Sequence, residues 1–270
     1  MQLQLFPKTT VRSPLQYLGG KSRVRAQIAG FFPRIETLVS PFFGGGSVEL
    51  FLAERDNAVV FGYDIYEPVV AAWQCLLHKK EALITKLESM LPWVGTSKED
   101  DLQKINFNTL IKVEPKLDRA ALLIFKCCLC WGSKWSGRSV RNNIFVDGTR
   151  VIEKPSKILL DTARIKEFIA PTLTVGQNDF RETLAQHKDE WAYLDPPYII
   201  NDGDYYVKHE AFPHEDLARL LWERKQFVLS YNNCNEVKEL YPTHRFKHYN
   251  PEWHYGIGNK ASNELIIIPK

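Results

Sequence analysis

The 270-residue chain has no run of eighteen apolar residues, which excludes a helix crossing a membrane. Its opening, Met1-Gln2-Leu3-Gln4-Leu5-Phe6-Pro7, lacks the basic start and long apolar core of a secretory signal, so an intracellular, cytoplasmic protein is expected. Excess charge is equally scarce: 35 Lys+Arg against 32 Asp+Glu leave +3, too little for a wholesale polyanion wrapper. A local basic face stays open. Internal repeats and low-complexity segments are also missing. Hydrophobic residues at 44% and charged residues at 25% exclude a disordered chain or a fibre. The length allows one large α/β domain or one core carrying a smaller insert.

Cysteine is scarce, odd in number and clustered: Cys75, Cys127, Cys128, Cys130 and Cys234. That usage fits a reducing compartment rather than a disulfide framework. The Cys127-Cys128-Cys130 group lacks the paired spacing of a structural zinc site and follows Ala120-Ala121-Leu122-Leu123-Ile124-Phe125. It reads as small apolar side chains on a buried helix, and no metal is expected. His244, His248 and His254 likewise lack metal-site spacing and read as packing or surface residues.

What the chain does contain is punctuated alternation. Gly19-Gly20-Lys21-Ser22 precedes Val24, Ile28, Phe31 and Phe32, whose spacing predicts a short helix that Pro33 ends. Thr37-Leu38-Val39-Ser40 reads as a buried strand, followed by the turn Pro41-Phe42-Phe43-Gly44-Gly45-Gly46-Ser47. Val48, Leu50, Phe51 and Leu52 open a helix, and Ala58 to Tyr63 is a second strand closing on Asp64. Strand, glycine turn, helix, strand and acid form the first half of a parallel doubly wound sheet.

From Val69 to about Arg150 helical patterns (Glu81 to Leu91, Lys98 to Lys112, Leu117 to Cys130) replace the strand signals. They end in a basic, indole-bearing segment from Trp131 to Asn143. Alternation resumes with strands at Leu173-Thr174-Val175, Trp191-Ala192-Tyr193-Leu194, Gln226 to Ser230 and Glu264 to Ile268, and a helix from His214 to Arg224. The expected organisation is a catalytic α/β domain over 1–75 and 151–270 with a helical insert at 76–150.

Two turns carry the chemistry. Glycines directly after a strand let a ligand lie against bare main chain, and an acid at the end of the next strand suits ribose hydroxyls. Gly44, Gly46 and Asp64 therefore point to a nucleoside-containing cofactor. In Asp195-Pro196-Pro197-Tyr198, consecutive prolines stop a strand and fix where the flanking groups point. The Asp195 carboxylate and a neighbouring carbonyl then form two acceptors, which suit the exocyclic amine of adenine or cytosine. The Tyr198 ring can stack on the flat base.

The set Tyr17-Leu18-Gly19-Gly20-Lys21, Pro41 to Ser47, Asp64, Asn178-Asp179-Phe180 and Asp195 to Tyr198, in that order, resembles the Dam-type (D12 class) DNA adenine-N6 methyltransferases. Ser230-Tyr231-Asn232 and Asn263-Glu264-Leu265-Ile266 resemble that family's later strands. The resemblance implies a Rossmann-like sheet of seven strands with one reversed, S-adenosylmethionine as methyl donor, and a target-recognition insert. It implies that Tyr17 and Lys21 line the methionine end of the cofactor pocket, Lys21 partnering the carboxylate. Phe43, Gly44 and Gly46 would form the turn beneath the cofactor, and Asp64 would hold its ribose. Asp179 would accept from the cofactor's adenine amine and Phe180 would pack on that ring. Asp195, the Pro196 carbonyl, Pro197 and Tyr198 would form the catalytic corner. Double-stranded DNA is the implied partner, with a cognate restriction endonuclease beside it; oligomeric state is left open.

The resemblance breaks where the family carries Phe-Asn-Gly and Phe-Asn-Val-Pro stretches that contact DNA. Here the chain reads Cys130-Trp131-Gly132-Ser133-Lys134-Trp135 and Asn143-Ile144-Phe145-Val146-Asp147-Gly148. No recognition sequence transfers. Lys134, Arg138 and Arg141 suit phosphates, and Trp131 or Trp135 suits the gap left by a flipped base. The bland alternative is a solvated cationic loop with one buried indole. At the level of function the alternatives are amino methylation of cytosine N4, RNA or a protein amide, or a DNA-binding protein that keeps the fold without turnover.

Overall fold

Short runs rich in branched and aromatic residues form the strands. They are β1 (Thr37–Ser40), β2 (Val59–Asp64), β3 (Ile144–Val146), β4 (Thr149–Val151), β5 (Leu173–Gln177), β6 (Trp191–Leu194), β7 (Phe227–Asn232), β8 (Phe246–Tyr249) and β9 (Glu264–Pro269). The computed structural model describes residues 11–15, 17, 19–93, 97, 107–129, 144–146, 149–151, 163–199, 212–251, 253 and 263–270.

Seven strands make one sheet in the order β5-β2-β1-β6-β7-β9-β8. β5, β2, β1, β6 and β7 pair in parallel, while β9 runs against both β7 and β8. One reversed strand in a seven-stranded mixed sheet is what the resemblance implies. The chain builds outward from β1 to β2 and β5, then returns to lay β6 and β7 on the other side of β1. The β1/β6 pair is therefore the topological switch point, the place where open α/β sheets bind ligands beyond their carboxyl ends.

The helices are α1 (Arg25–Ala29), α2 (Ser47–Asp56), α3 (Glu67–His78), α4 (Lys80–Met90), α5 (Phe107–Leu110), α6 (Lys116–Leu129), α7 (Phe180–Gln186), α8 (His214–Leu221) and α9 (Asn235–Leu240). None among the described residues is long and apolar enough to cross a membrane.

Contacts divide the chain into two compact units. The first comprises Met1–Arg12, Lys21–Ile65 and Thr172–Lys270, and holds the seven-stranded sheet. Val39, Ala192, Leu194, Leu229 and Ile267 from four strands meet Phe180 and Leu184 of α7 and Leu217 and Leu221 of α8. Each buried Leu contributes roughly 2 kcal/mol by leaving water. Two of the buried hydroxyls answer each other: Tyr193 Oη lies 3.1 Å from Ser230 Oγ across β6 and β7. Burial drives the Tyr193 phenol well above its ordinary pKa, so the pair stays neutral.

The second unit comprises Ser13–Gly20 and Tyr66–Pro171. Within it α3 packs on α6. Trp73 of α3 is fully buried, its ring 5.9 Å from that of Phe168. Arg119 of α6 pairs with Glu67 and Glu114. Cys75 and Cys127 are buried, small side chains within this packing.

Two differences from the sequence reading have simple causes. The helix expected over Val24 to Phe32 covers only Arg25–Ala29, since Pro33 closes the segment through tight turns at Phe31 and Phe32. β8 was not anticipated; its four residues alternate Phe, Lys, His and Tyr at the sheet edge and carry no apolar run. His248 serves that edge, donating from Nε2 to the Tyr241 carbonyl at 2.6 Å.

Candidate active site

β6 stops at Leu194 because Pro196 and Pro197 have no N–H with which to extend the ladder. Asp195 is thereby left at the strand end, and its two oxygens accept from Lys21 Nζ at 3.0 and 2.9 Å. Lys21 comes from the other end of the chain and is 6% exposed. The same ammonium lies 3.6 Å from Glu264 Oε1 and 5.1 Å from the centre of the Tyr198 ring. Tyr198 donates its hydroxyl to that Glu264 oxygen at 3.1 Å.

Two carboxylates and one ammonium leave the cluster one formal negative charge in excess. Burial works against the Lys21 ammonium, but Asp195 and Glu264 outweigh it and raise its pKa. Burial, Asp195 and Glu264 together hold the Tyr198 phenol well above its ordinary range. Tyr198 is therefore a hydrogen-bond donor at any working pH. Beyond it, Asn232 at the end of β7 clamps Ile199 on both sides, accepting from its N–H at 3.1 Å and donating to its carbonyl. The Tyr198 ring leans on Tyr231 at 5.8 Å.

The glycine turn after β1 is built from main chain. Phe43 N–H donates to the Tyr63 carbonyl at 2.9 Å, and Gly46 N–H to the Phe43 carbonyl at 2.8 Å. Gly44 and Gly46 have φ of 47° and 63°, the left-handed region where a Cβ is strained. Gly44 N–H donates to Asp64 Oδ2 at 2.9 Å, so the turn and the acid are directly joined. Phe43 is buried against Gly62, where an added Cβ would come within 2.5 Å of the ring.

Beneath this turn lies a carboxyl that the sequence reading passed over. Ser40 closes β1, and its hydroxyl donates to Glu49 Oε1 of α2 at 2.7 Å, both residues being buried. Burial pushes the Glu49 carboxyl up to about 7, against the Ser40 hydrogen bond and with a further push from Asp195.

Asp179 caps α7, accepting from Arg181 N–H at 2.8 Å. Arg181 also holds its carboxylate and reaches Asp216 on α8 at 2.7 Å. Phe180 lies inside the core between Phe42 and Phe212, with the Arg181 guanidinium 4.7 Å from its ring centre. Ile65, directly after Asp64, is 64% exposed. Asn178 N–H donates to the Asp64 carbonyl and the Gln177 amide to the Ile65 carbonyl, so this apolar side chain stands beside the Asp179 segment.

The expected site residues thus divide. Lys21, Asp195, Pro196, Pro197 and Tyr198 form one cluster, and Phe43, Gly44, Gly46 and Asp64 a second at the neighbouring strand end. The ammonium that the resemblance assigns to a cofactor carboxylate is engaged with Asp195 and Glu264. Tyr17 belongs to the second unit, where its carbonyl accepts from Gly20 N–H at 3.2 Å. Trp131, Lys134, Trp135, Arg138 and Arg141 lie outside the described residues. Glu264, Glu49 and Ile65 were missed. Only Glu264 left a signal, a charge opening an otherwise apolar strand.

A seven-stranded sheet in this order, reversed only at β9, is the S-adenosylmethionine-dependent methyltransferase fold. Within that class the chain belongs to the D12 class N6 adenine-specific DNA methyltransferase family, whose model matches residues 17–257. It is 24% identical over 234 residues, 84% of the chain, to the type II methyltransferase M.FokI of Planomicrobium okeanokoites. It is 25% identical over 213 residues, 73% of the chain, to the modification methylase StsI of Streptococcus sanguinis. The chain spans 35% and 30% of the lengths of these two relatives.

Proposed function

We propose that the chain transfers the methyl group of S-adenosylmethionine to the N6 amine of an adenine extruded from double-stranded DNA. One observation carries the reading. Asp195, held by Lys21, and Gly44, joined to Asp64, stand beyond the carboxyl ends of adjacent parallel strands at the switch point.

The residues fit the cofactor. Gly44 and Gly46 keep the main chain bare over Phe43, and Asp64 faces them as an acceptor for ribose hydroxyls. Asp179 would accept from the adenine amine, with the exposed Ile65 against the ring and Phe180 supporting from the core. When bound, S-adenosylmethionine supplies an electrophilic methyl on a cationic sulfur. The excess negative charge of Asp195, Glu264 and Lys21 suits that cation.

On the target side the Asp195 carboxylate and the Pro196 carbonyl would accept the two amine N–H bonds. That favours a pyramidal nitrogen whose lone pair is free to attack in line. Tyr198 would stack on the base, its hydroxyl fixed by Glu264. Asp195 need not be a strong base, because the nitrogen becomes acidic only once methylated. A paired adenine hides this amine in the duplex, so the base must leave the stack. Trp131, Lys134, Trp135, Arg138 and Arg141 are proposed to hold the DNA. A cognate restriction endonuclease is proposed beside it, in line with the modification methylases among its relatives.

Mixed-sequence DNA incubated with the protein and methyl-labelled cofactor, then digested to nucleosides, should yield labelled N6-methyladenine by mass spectrometry. Label on cytosine N4, or none despite DNA binding, overturns the proposal.

A further inference from the structure

Glu264 is partly buried, its side chain 12% exposed, next to the proline corner. It opens β9, opposite Asn232 of β7 in the antiparallel register. Asn233 N–H donates to the Asn263 carbonyl at 2.9 Å and Asn263 Nδ2 to the Asn233 carbonyl at 3.2 Å, which pins the strand entry. The carboxylate position is thus set by the ladder on one side. On the other side, Asn232 fixes the chain just after Tyr198.

One oxygen, Glu264 Oε1, meets both movable members of the corner: the Tyr198 hydroxyl at 3.1 Å and the Lys21 ammonium at 3.6 Å. A phenol withdrawn from water needs a partner for its hydroxyl, and that partner helps to set the ring plane. Lysine is a point charge on a flexible stem, so its place is decided by the carboxylates around it. With Asp195 alone, the ammonium would neutralise the very acceptor that an incoming amine requires. Lys21 meets both Asp195 oxygens at 3.0 and 2.9 Å, and Glu264, 3.6 Å from the same ammonium, shares its charge with Asp195.

We infer that Glu264 is a positioning residue for methyl transfer: it aligns the Tyr198 ring and shares the Lys21 ammonium with Asp195, the acceptor proposed for the target amine. This rests on the proposed adenine methylation. The bland alternative is a structural ion pair, which would affect folding and nothing else.

Single-turnover methyl transfer under saturating cofactor and DNA separates the two, with calorimetric cofactor Kd and thermal midpoint measured alongside. Glu264→Gln keeps an acceptor of the same shape and removes the charge. It should slow transfer roughly 10- to 100-fold, as expected for misplaced reacting groups, with cofactor Kd within about threefold. Glu264→Asp should recover part of the rate. Tyr198→Phe keeps the stacking ring, loses the hydroxyl, and should slow transfer about tenfold. The Tyr198→Phe/Glu264→Gln double variant should be slowed less than the product of the two single losses. Transfer within about twofold of the parent in Glu264→Gln, whatever its midpoint, overturns the inference. Should that variant fail to fold, a parent-like rate in Tyr198→Phe overturns it instead. A parent protein that never methylates adenine defeats the proposed function; a parent that does, beside unimpaired variants, defeats only this assignment.

Discussion

The two turns at the ends of β1 and β6 are neighbours in the sheet but are made of different material. The glycine turn is main chain: two left-handed glycines, two backbone hydrogen bonds, and one carboxylate that accepts from Gly44. The proline corner is side chain: Asp195, Lys21, Tyr198 and Glu264, brought from three distant stretches of sequence. Backbone amides carry no net charge and suit a ligand bound in one fixed pose. Charged side chains would set the electrostatics that the proposed amine and sulfonium meet. Binding should therefore respond to damage at the first turn, and rate to damage at the second.

The sharpest way to break this contrast is Asp195→Asn, which keeps the shape and removes the charge. Methyl transfer should fall on the order of 10³-fold, about 4 kcal/mol of transition-state stabilisation, while cofactor Kd stays within about threefold. A calorimetric Kd that rises as steeply as the rate falls would show that both turns act in binding.

Glu49 and Asp195 sharpen the contrast from below, because one carboxyl answers a hydroxyl and the other an ammonium. Glu49 titrates near 7 in the folded protein, above its unfolded value of about 4.3. Between those values the folded chain holds a proton that the unfolded chain releases. Its contribution to stability is therefore full below about pH 4.3 and is lost as pH rises through about 7. The loss is on the order of 3 kcal/mol. Glu49→Gln should remove it, so urea unfolding at pH 5 and pH 8 should show the variant gaining on the parent at the higher pH. A difference that runs the other way would mean that Glu49 is ion-paired like Asp195.

The same contrast explains what could be read from the chain in advance. Thr37–Ser40 and Trp191–Leu194 are buried strands bounded by prolines and charged residues, and both lie within the predicted segments. Gly44, Gly46 and Asp64 are about twenty residues apart in a spacing that the βαβ geometry itself imposes. The proline corner was legible only for its own four residues. Lys21 meets Asp195 across 174 positions, and Tyr198 meets Glu264 across 66. Pattern and periodicity carry no information about pairs so far apart, so Lys21 was assigned to the cofactor and Glu264 only to a late strand, with no role at the site. Phe180 shows a related limit: an aromatic after a strand looks the same in sequence whether or not it lies, as here, between Phe42 and Phe212.

The smallest effect belongs to Asp64, where two roles overlap on one carboxylate. Asp64 accepts from Gly44 N–H, so removing it loosens the turn as well as the proposed ribose contact. Asp64→Ala should raise cofactor Kd about tenfold, or 1.4 kcal/mol, with the rate at saturating cofactor within about threefold. Asp64→Asn separates the roles. An amide oxygen still accepts from Gly44, but it holds ribose hydroxyls without the strength of a charged acceptor. If calorimetry puts Asn midway between Asp and Ala, the acid serves both turn and ligand. If Asn matches Asp, the tie to Gly44 is what matters, and the glycine turn binds through the shape of its main chain alone.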